Sequence, residues 1–299
     1  MSLLKSLSIK GKVLHNEPLR RHTTFRIGGR AKIWAEPKDL DDLMSLLEFA
    51  QAEGKPIFLI GEGSNLLIAD RDLDIMAISL KGTFNFCKID GGKILCGAGY
   101  GLQKFILKTL GHGYSGLEFM AGIPGTVGGA IRMNAGAGLK GPWILNFVKR
   151  LKVITYEGKI RYREKDNLNF GYRKSNLSDL VILETEFSLK ASRDKAALLS
   201  EYKRFLADKK KTQELLTPSA GCVFKNPGCP NLNSARLIEG CGLKGRKIGG
   251  AMVSDKHANF IVNSGKATFE DVMTLIDLIK EKVLKKHGVT LETEVEILT

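Results

Sequence analysis

The sequence predicts an α+β fold with mixed sheets, divided into more than one domain. Three observations carry this. The 299 residues, 43% of them hydrophobic, exceed the ~250 beyond which a single core stops growing. Strand pairs joined by tight turns stand next to single amphipathic helices. No low-complexity segment or fixed-period repeat interrupts the chain.

The elements follow in order. After Asp39, the residues Leu40, Leu43, Met44 and Leu47 recur at helical spacing, Gly54 ends the helix, and PIFLI continues as a buried strand into GEGSNLL. IMAISL and the run CKIDGGKILCGAG give strand-like stretches, the latter turning at Asp90-Gly91-Gly92, and YGLQKFILKTLG predicts a helix. FVKRLKVITYEGKIRYR predicts a hairpin turning at Glu157-Gly158, followed by the strand VILETEFSL and one long charged helix from Ser192 to about Lys211. Beyond a main boundary near residue 212 come a short strand at Gly221–Phe224 and a helix near Asn233–Cys241. The strands IGG and ANFIVN, a helix over Phe269–Lys286 and a closing strand TLETEVEIL complete the pattern.

Lys and Arg outnumber Asp and Glu by 46 to 32, a formal charge of +14, which favours anionic partners: nucleic acid or phosphorylated small molecules. Much of that excess sits in KRFLADKKK and KEKVLKKHG, which also fit solvated helix faces. Aromatics make up only 7% and none of the usual recognition motifs occurs, so a nucleic-acid partner is not expected. Five cysteines, an odd number, and an N-terminus interrupted by Lys5 and Lys10 point to a cytoplasmic protein with reduced thiols. No run approaches the ~18 apolar residues of a membrane helix, so membrane insertion is not expected.

Three glycine-rich segments occupy the first half: TTFRIGG at 23–29, IGEGSNLL at 60–67, and GLEFMAGIPGTVGGAIRMNAGAG at 116–138. Glycine lets successive backbone N–H groups converge on phosphate oxygens, although each cluster alone fits a tight loop equally well. Gly97-Ala98-Gly99-Tyr100-Gly101 begins a dinucleotide fingerprint but continues with Leu102, so it predicts a strand-to-helix turn. GxxxxGK[ST] is absent, which argues against a P-loop hydrolase.

In TPSAGCVFKNP, Cys222 is open to four readings: half a disulfide, a metal ligand, a small packed side chain or a working thiol. Reduced surroundings disfavour the first. Zinc held by Cys222, Cys229, Cys241 and His257 would lack any CxxC pair, which disfavours the second.

Taken in order, TFRIGG, GEGSNLL, GLEFMAGIPGTVGGA, MNAGA, FGYRKS, PSAGCVFKNP, LIEGCGLKG, IGGA, KHANFIVN and LETEVEIL resemble the UDP-N-acetylenolpyruvoylglucosamine reductase family from about Thr23 to Leu298. The resemblance implies an FAD-binding fold of the vanillyl-alcohol-oxidase (PCMH) type, with subdomains at 1–80 and 81–212 and a substrate-binding domain at 213–299. It implies noncovalent FAD, NADPH as reductant, and reduction of the enolpyruvyl group of a UDP-sugar during peptidoglycan synthesis. The rival is another flavin oxidoreductase of the same fold acting on a different alcohol or acid, which PSAGCVFKNP and LETEVEIL speak against.

Carried over by motif, the expected cofactor contacts are Ile27, Gly28, Gly61, Gly63, Ser64, Asn65, Leu66, Gly122, Ile123, Pro124, Gly125, Thr126, Gly128, Gly129, Ala130, Asn134 and Gly136. His22, His112 and Cys96 lie in the same part, but the family pattern supplies no attachment residue. Adding hydride to the enolpyruvyl group leaves negative charge that spreads into its carboxylate and must be stabilised and protonated. The motif assigns stabilisation to Arg173, whose planar fork suits a carboxylate, and to Glu294 in the closing strand. Alternation alone would place Glu292, Glu294 and Glu296 on one face without choosing among them. Cys222 stands where the family usually has a proton-donating serine, and a thiol releases its proton more readily than a hydroxyl. Tyr172, Lys225 and Asn226 are the expected substrate contacts, with Lys209–Lys211 as helpers.

Overall fold

The computed structural model describes residues 9–192, 194–228 and 232–299. Within them the chain forms two compact units: one of residues up to Glu17, Ala31–Gly61 and Asp74–Leu206, the other of Pro18–Arg30, Glu62–Leu73 and Ala207–Thr299. Two early segments, both carrying glycine motifs, therefore group with the C-terminal residues.

The first unit is organised by the strand Leu180–Phe187, in the middle of a five-stranded antiparallel sheet ordered 160–164, 148–155, 180–187, 93–97 and 87–90. Its side chains alternate between two cores. Leu180 and Ile182 join a cluster with Phe105, Leu151 and Val153, whereas Val181 and Leu183 join one with Leu43, Leu46 and Ile154. A strand covered on both faces gives a continuous apolar run, and VIL is the result. One core is closed by helix α1 (Leu40–Ala52), capped by the Asp39 carboxylate on the Asp42 N–H at 3.0 Å. A further sheet runs in the order 12–18, 30–36, 73–78, 57–59. The other core packs α2 (Leu102–Gly111), α3 (Val127–Arg132) and the buried Leu198 and Tyr202 of α4 (Lys195–Thr212).

In the second unit an antiparallel sheet ordered 219–222, 260–263, 251–253, 247–248 lies in one core with α6 (Phe269–His287), and α5 (Ser234–Gly240) joins them. Val272, Leu275, Ile276, Ile279 and Val283 form the buried stripe of α6. IGGA has a local cause: the Asp271 carboxylate accepts N–H bonds from Thr268 and Gly250, each at 3.0 Å. A Cβ on Gly249 would lie 2.2 Å from that carboxylate, at φ +50°. The last strand, Glu296–Leu298, pairs in parallel with Leu66–Ile68.

Several expectations shift. Met44 is 40% exposed, and the buried stripe of α1 is Leu43, Leu46, Leu47 and Ala50. The strand expected at Gly221–Phe224 is Ser219–Cys222, because a bulge containing Gly221 at φ +77° interrupts its pairing with 260–263. TLETEVEIL pairs as a strand only from Glu296, with Thr293 in an isolated bridge to Phe224, so Glu292, Glu294 and Glu296 share no continuous strand. Within the long glycine segment, GTVGGAIR conceals a helix start capped by Thr126. Among the described residues no helix is long and apolar enough to cross a membrane.

Candidate active site

Arg173 belongs to the first unit. Phe170–Gly171 pairs with Lys174–Ser175, leaving Tyr172 and Arg173 as the two turn residues, with Arg173 at φ +56°. That left-handed conformation costs a side-chain-bearing residue about 1 kcal/mol or more and persists only where neighbours enforce it. The neighbours are identifiable. Both Nη atoms of Arg173 reach the Gly136 carbonyl at 3.4 Å, and the guanidinium lies 5.2 Å from the Tyr172 ring centre. The Asn134 side chain donates to the Gly171 carbonyl at 2.8 Å, and the Ser175 hydroxyl donates to the Arg132 carbonyl at 2.6 Å.

The same unit holds a pocket lined by Leu59–Gly61, Ile78, Leu80, Lys81, Ala98, Gly99, Thr126, Gly128, Gly129, Arg132, Leu180 and Ile182. Its backbone segments approach to the limit that glycine allows. A Cβ on Gly61 would lie 2.7 Å from the Thr126 hydroxyl, and one on Gly128 would lie 2.8 Å from the Ala98 methyl. The lining is apolar except for Thr126 and two cations, Lys81 and Arg132. A flat ring system joined to a diphosphate fits that donor set, so Gly61, Thr126, Gly128 and Gly129 suit FAD. The segment leading into α3 is fixed by Gln103, which no sequence motif singled out. Its amide donates to the Met120 and Ile123 carbonyls at 3.1 and 2.7 Å, and its oxygen accepts from the Gly122 N–H at 3.0 Å and the Tyr202 hydroxyl at 2.8 Å. Pro124 is exposed and Ala130 buried. Cys96 is fully buried, and that burial pushes its thiol above the ordinary range, so it makes a poor attachment nucleophile.

The second unit holds the remaining candidates. Gly63 sits at φ +61°, where a Cβ would lie 2.2 Å from the His22 carbonyl, and Gly28 sits against Ile68. Ile27 is buried, its carbonyl accepting from the Thr23 hydroxyl at 3.2 Å. Ser64 is half-buried and Leu66 buried. Asn65 acts as a clasp, since its side chain donates to the Glu294 carbonyl at 3.0 Å and its own carbonyl accepts from the Glu296 N–H at 2.9 Å.

That clasp carries Glu294 to Cys222. The Glu294 N–H donates to the Val223 carbonyl at 2.7 Å, and the Lys225 N–H donates to the Glu292 carbonyl at 2.9 Å. Segments 222–225 and 292–295 thus lie side by side, with Cys222 half-buried and its thiol free of any disulfide. Lys225 forms an ion pair with Glu292. The Asn226 side chain accepts the Ser234 N–H at 3.1 Å at the start of α5. Among the described residues no group of three or more His, Cys, Asp or Glu could hold a metal ion, and Cys229 lies outside those residues. His257 packs edge-on against Phe260, and burial holds its imidazole below the ordinary range.

Two family models match separate stretches of the chain. Residues 31–162 match the family model described as "FAD binding domain", and residues 211–298 match "UDP-N-acetylenolpyruvoylglucosamine reductase, C-terminal domain". The reductase of Desulforamulus reducens bearing that name is 41% identical over 297 residues, which cover 99% of this chain and 96% of the relative. UDP-N-acetylenolpyruvoylglucosamine reductase 2 of Symbiobacterium thermophilum is 40% identical, covering 96% of this chain and 92% of the relative. Among solved structures, UDP-N-acetylenolpyruvylglucosamine reductase from Thermus caldophilus superposes with a TM-score of 0.82 at 32% identity, covering 98% of this chain and 100% of that one.

Proposed function

Because the chain belongs to the UDP-N-acetylenolpyruvoylglucosamine reductase family, whose FAD- and NADPH-dependent reduction to UDP-N-acetylmuramate it shares, we propose that Arg173, Cys222 and Glu294 carry out that reduction. The likeness runs through the C-terminal domain as well as the FAD-binding part, which leaves the rival oxidoreductase reading without support. A cytoplasmic location belongs to the same reading, since the UDP-sugar and NADPH are cytoplasmic nucleotides.

Gly61, Thr126, Gly128 and Gly129 would hold FAD, which when bound and reduced by NADPH would supply a hydride. The chain's residues deal with the charge and the proton that follow. Arg173 takes the substrate carboxylate on its planar fork and stabilises the negative charge that spreads into it. Its 3.4 Å contacts to Gly136 are long for N–H···O bonds, so they aim the fork and yield readily to a carboxylate. Glu294 acts on the same carboxylate. Cys222 gives its proton to the carbon next to the carboxylate, completing a saturated lactyl ether, and the thiolate recovers a proton from solvent. Tyr172 supports the arginine, while Lys225 and Asn226 bind the diphosphate or ribose end. Ion pairing of Lys225 with Glu292 means that substrate phosphate competes with a carboxylate for that ammonium.

The observation that carries the assignment is the 2.7 Å bond from the Glu294 N–H to the Val223 carbonyl, which holds the segments of the acid and the glutamate in one backbone frame. Anaerobic rapid mixing tests it. Cys222→Ala should bleach with NADPH at the wild-type rate, yet recover its yellow colour with the enolpyruvyl UDP-sugar about 10²- to 10⁴-fold more slowly. Cys222→Ser should recover part of that loss. Unimpaired reoxidation in Cys222→Ala would make the thiol a packed bystander.

A further inference from the structure

We infer that Asn134 and Ser175 are positioning residues for Arg173, holding its turn from both sides; this rests on the reading of Arg173 as the stabiliser of substrate charge. The hairpin that carries the arginine is only Phe170–Gly171 against Lys174–Ser175. So short a two-stranded piece does not hold its shape in water, and its turn residue sits at a costly φ of +56°.

Two side-chain bonds supply what the ladder lacks. Gly171, two residues before Arg173, is held through its carbonyl by Asn134 at 2.8 Å; Ser175, two residues after, holds the Arg132 carbonyl at 2.6 Å. Asn134 is itself immobile. It is fully buried, and its side-chain oxygen also accepts the Leu145 N–H at 3.3 Å. Its φ of +42° is a region in which asparagine is several-fold enriched among non-glycine residues. Arg132 is the last residue of α3, where carbonyls lack helical partners, so the Ser175 hydroxyl meets an acceptor in need of one. With Gly136 receiving the guanidinium, the stretch 132–136 forms a three-point mount for residues 171–175.

The test compares Ser175→Ala, Ser175→Thr, Asn134→Ser, Arg173→Ala and the double variant Ser175→Ala/Arg173→Ala. Misplacing a reacting group by ~1 Å costs up to ~10²-fold. Ser175→Ala and Asn134→Ser should therefore slow reoxidation by the enolpyruvyl UDP-sugar roughly ten- to a hundredfold. In Ser175→Ala, bleaching by NADPH, FAD affinity of the apoprotein and its urea midpoint should stay at wild-type values; Asn134→Ser, which also leaves the buried Leu145 N–H without its acceptor, should in addition lower the urea midpoint, and Ser175→Thr should restore the rate. The double variant should be no slower than Arg173→Ala alone, since a mount matters only while it carries its load. Wild-type reoxidation in both Ser175→Ala and Asn134→Ser, with Arg173→Ala slow, overturns the inference alone. Additive losses in the double variant also overturn it. Wild-type reoxidation in Arg173→Ala overturns it together with the arginine's proposed role.

Discussion

Replacing Gln103 by alanine should loosen FAD while leaving the fold standing. The side chain makes four hydrogen bonds: two amide bonds to the Met120 and Ile123 carbonyls, and two on its oxygen from the Gly122 N–H and the Tyr202 hydroxyl. A neutral bond contributes about 1 kcal/mol net, and a buried group left without a partner costs about 1–3 kcal/mol. Gly122 and Ile123 are half-buried and can turn to water, whereas Met120 and Tyr202 are buried. The loss therefore comes to about 2–4 kcal/mol. It falls on the segment entering α3 rather than on the apolar core that holds α2. If half of it appears in cofactor affinity, the dissociation constant of FAD rises by about five- to thirtyfold. Tyr202→Phe removes one bond and leaves the Gly122 N–H on the Gln103 oxygen, so about 1 kcal/mol, or about fivefold in affinity, is its ceiling. Quenching of flavin fluorescence on adding apoprotein measures both variants, and urea unfolding of each apoprotein separates affinity from global stability. An FAD constant within about threefold of wild type in Gln103→Ala would mean that the loop keeps its shape without the clamp.

The remaining predictions concern other parts of the molecule. Arg173→Lys should reoxidise slowly although charge is conserved, because a point cation cannot make the two-pronged contact; near-wild-type reoxidation would remove Arg173 from the chemistry. Acid precipitation should leave all the yellow colour in the supernatant, and flavin retained in a washed pellet would show a covalent link. Bonds from the Thr268 and Gly250 N–H groups hold the Asp271 carboxyl below its ordinary value, so its contribution is complete above about 3.8, the unfolded value, and is lost as pH falls through the lower folded one. Asp271→Asn should thus cost about 1 kcal/mol near neutrality and progressively less in acid. Urea midpoints of the two proteins that stay parallel down to strong acid would refute this.

How much of this was legible depended on whether a residue's role left a local pattern. The helices were legible because burial on one side repeats along the chain, as in α6, and because Asp39 announces the start of α1. Glycine motifs showed where backbones crowd but not what they crowd against. The Gly249–Gly250 pair yields to the Asp271 carboxylate twenty-odd residues away, and Gly61 yields to Thr126. Arg173 and Glu294 could be picked only by motif, since an arginine in a turn and a glutamate in an alternating run are ordinary surface residues in any sequence. Gln103 gave no signal at all. A polar residue in an amphipathic helix looks solvated until a loop from elsewhere in the chain brings its own backbone groups to it. Asn134 and Ser175 lie between these cases: both stand inside motifs, MNAGA and YRKS, and both bond to backbone carbonyls rather than lining the pocket. A motif therefore records two kinds of requirement in one string, residues that meet ligand and residues that hold those residues in place. Only the partner of each side chain separates them. By that criterion Asn65, whose amide is occupied by the Glu294 carbonyl, belongs with the supports. Its replacement should then be felt first in the geometry of the closing segment that carries Glu294.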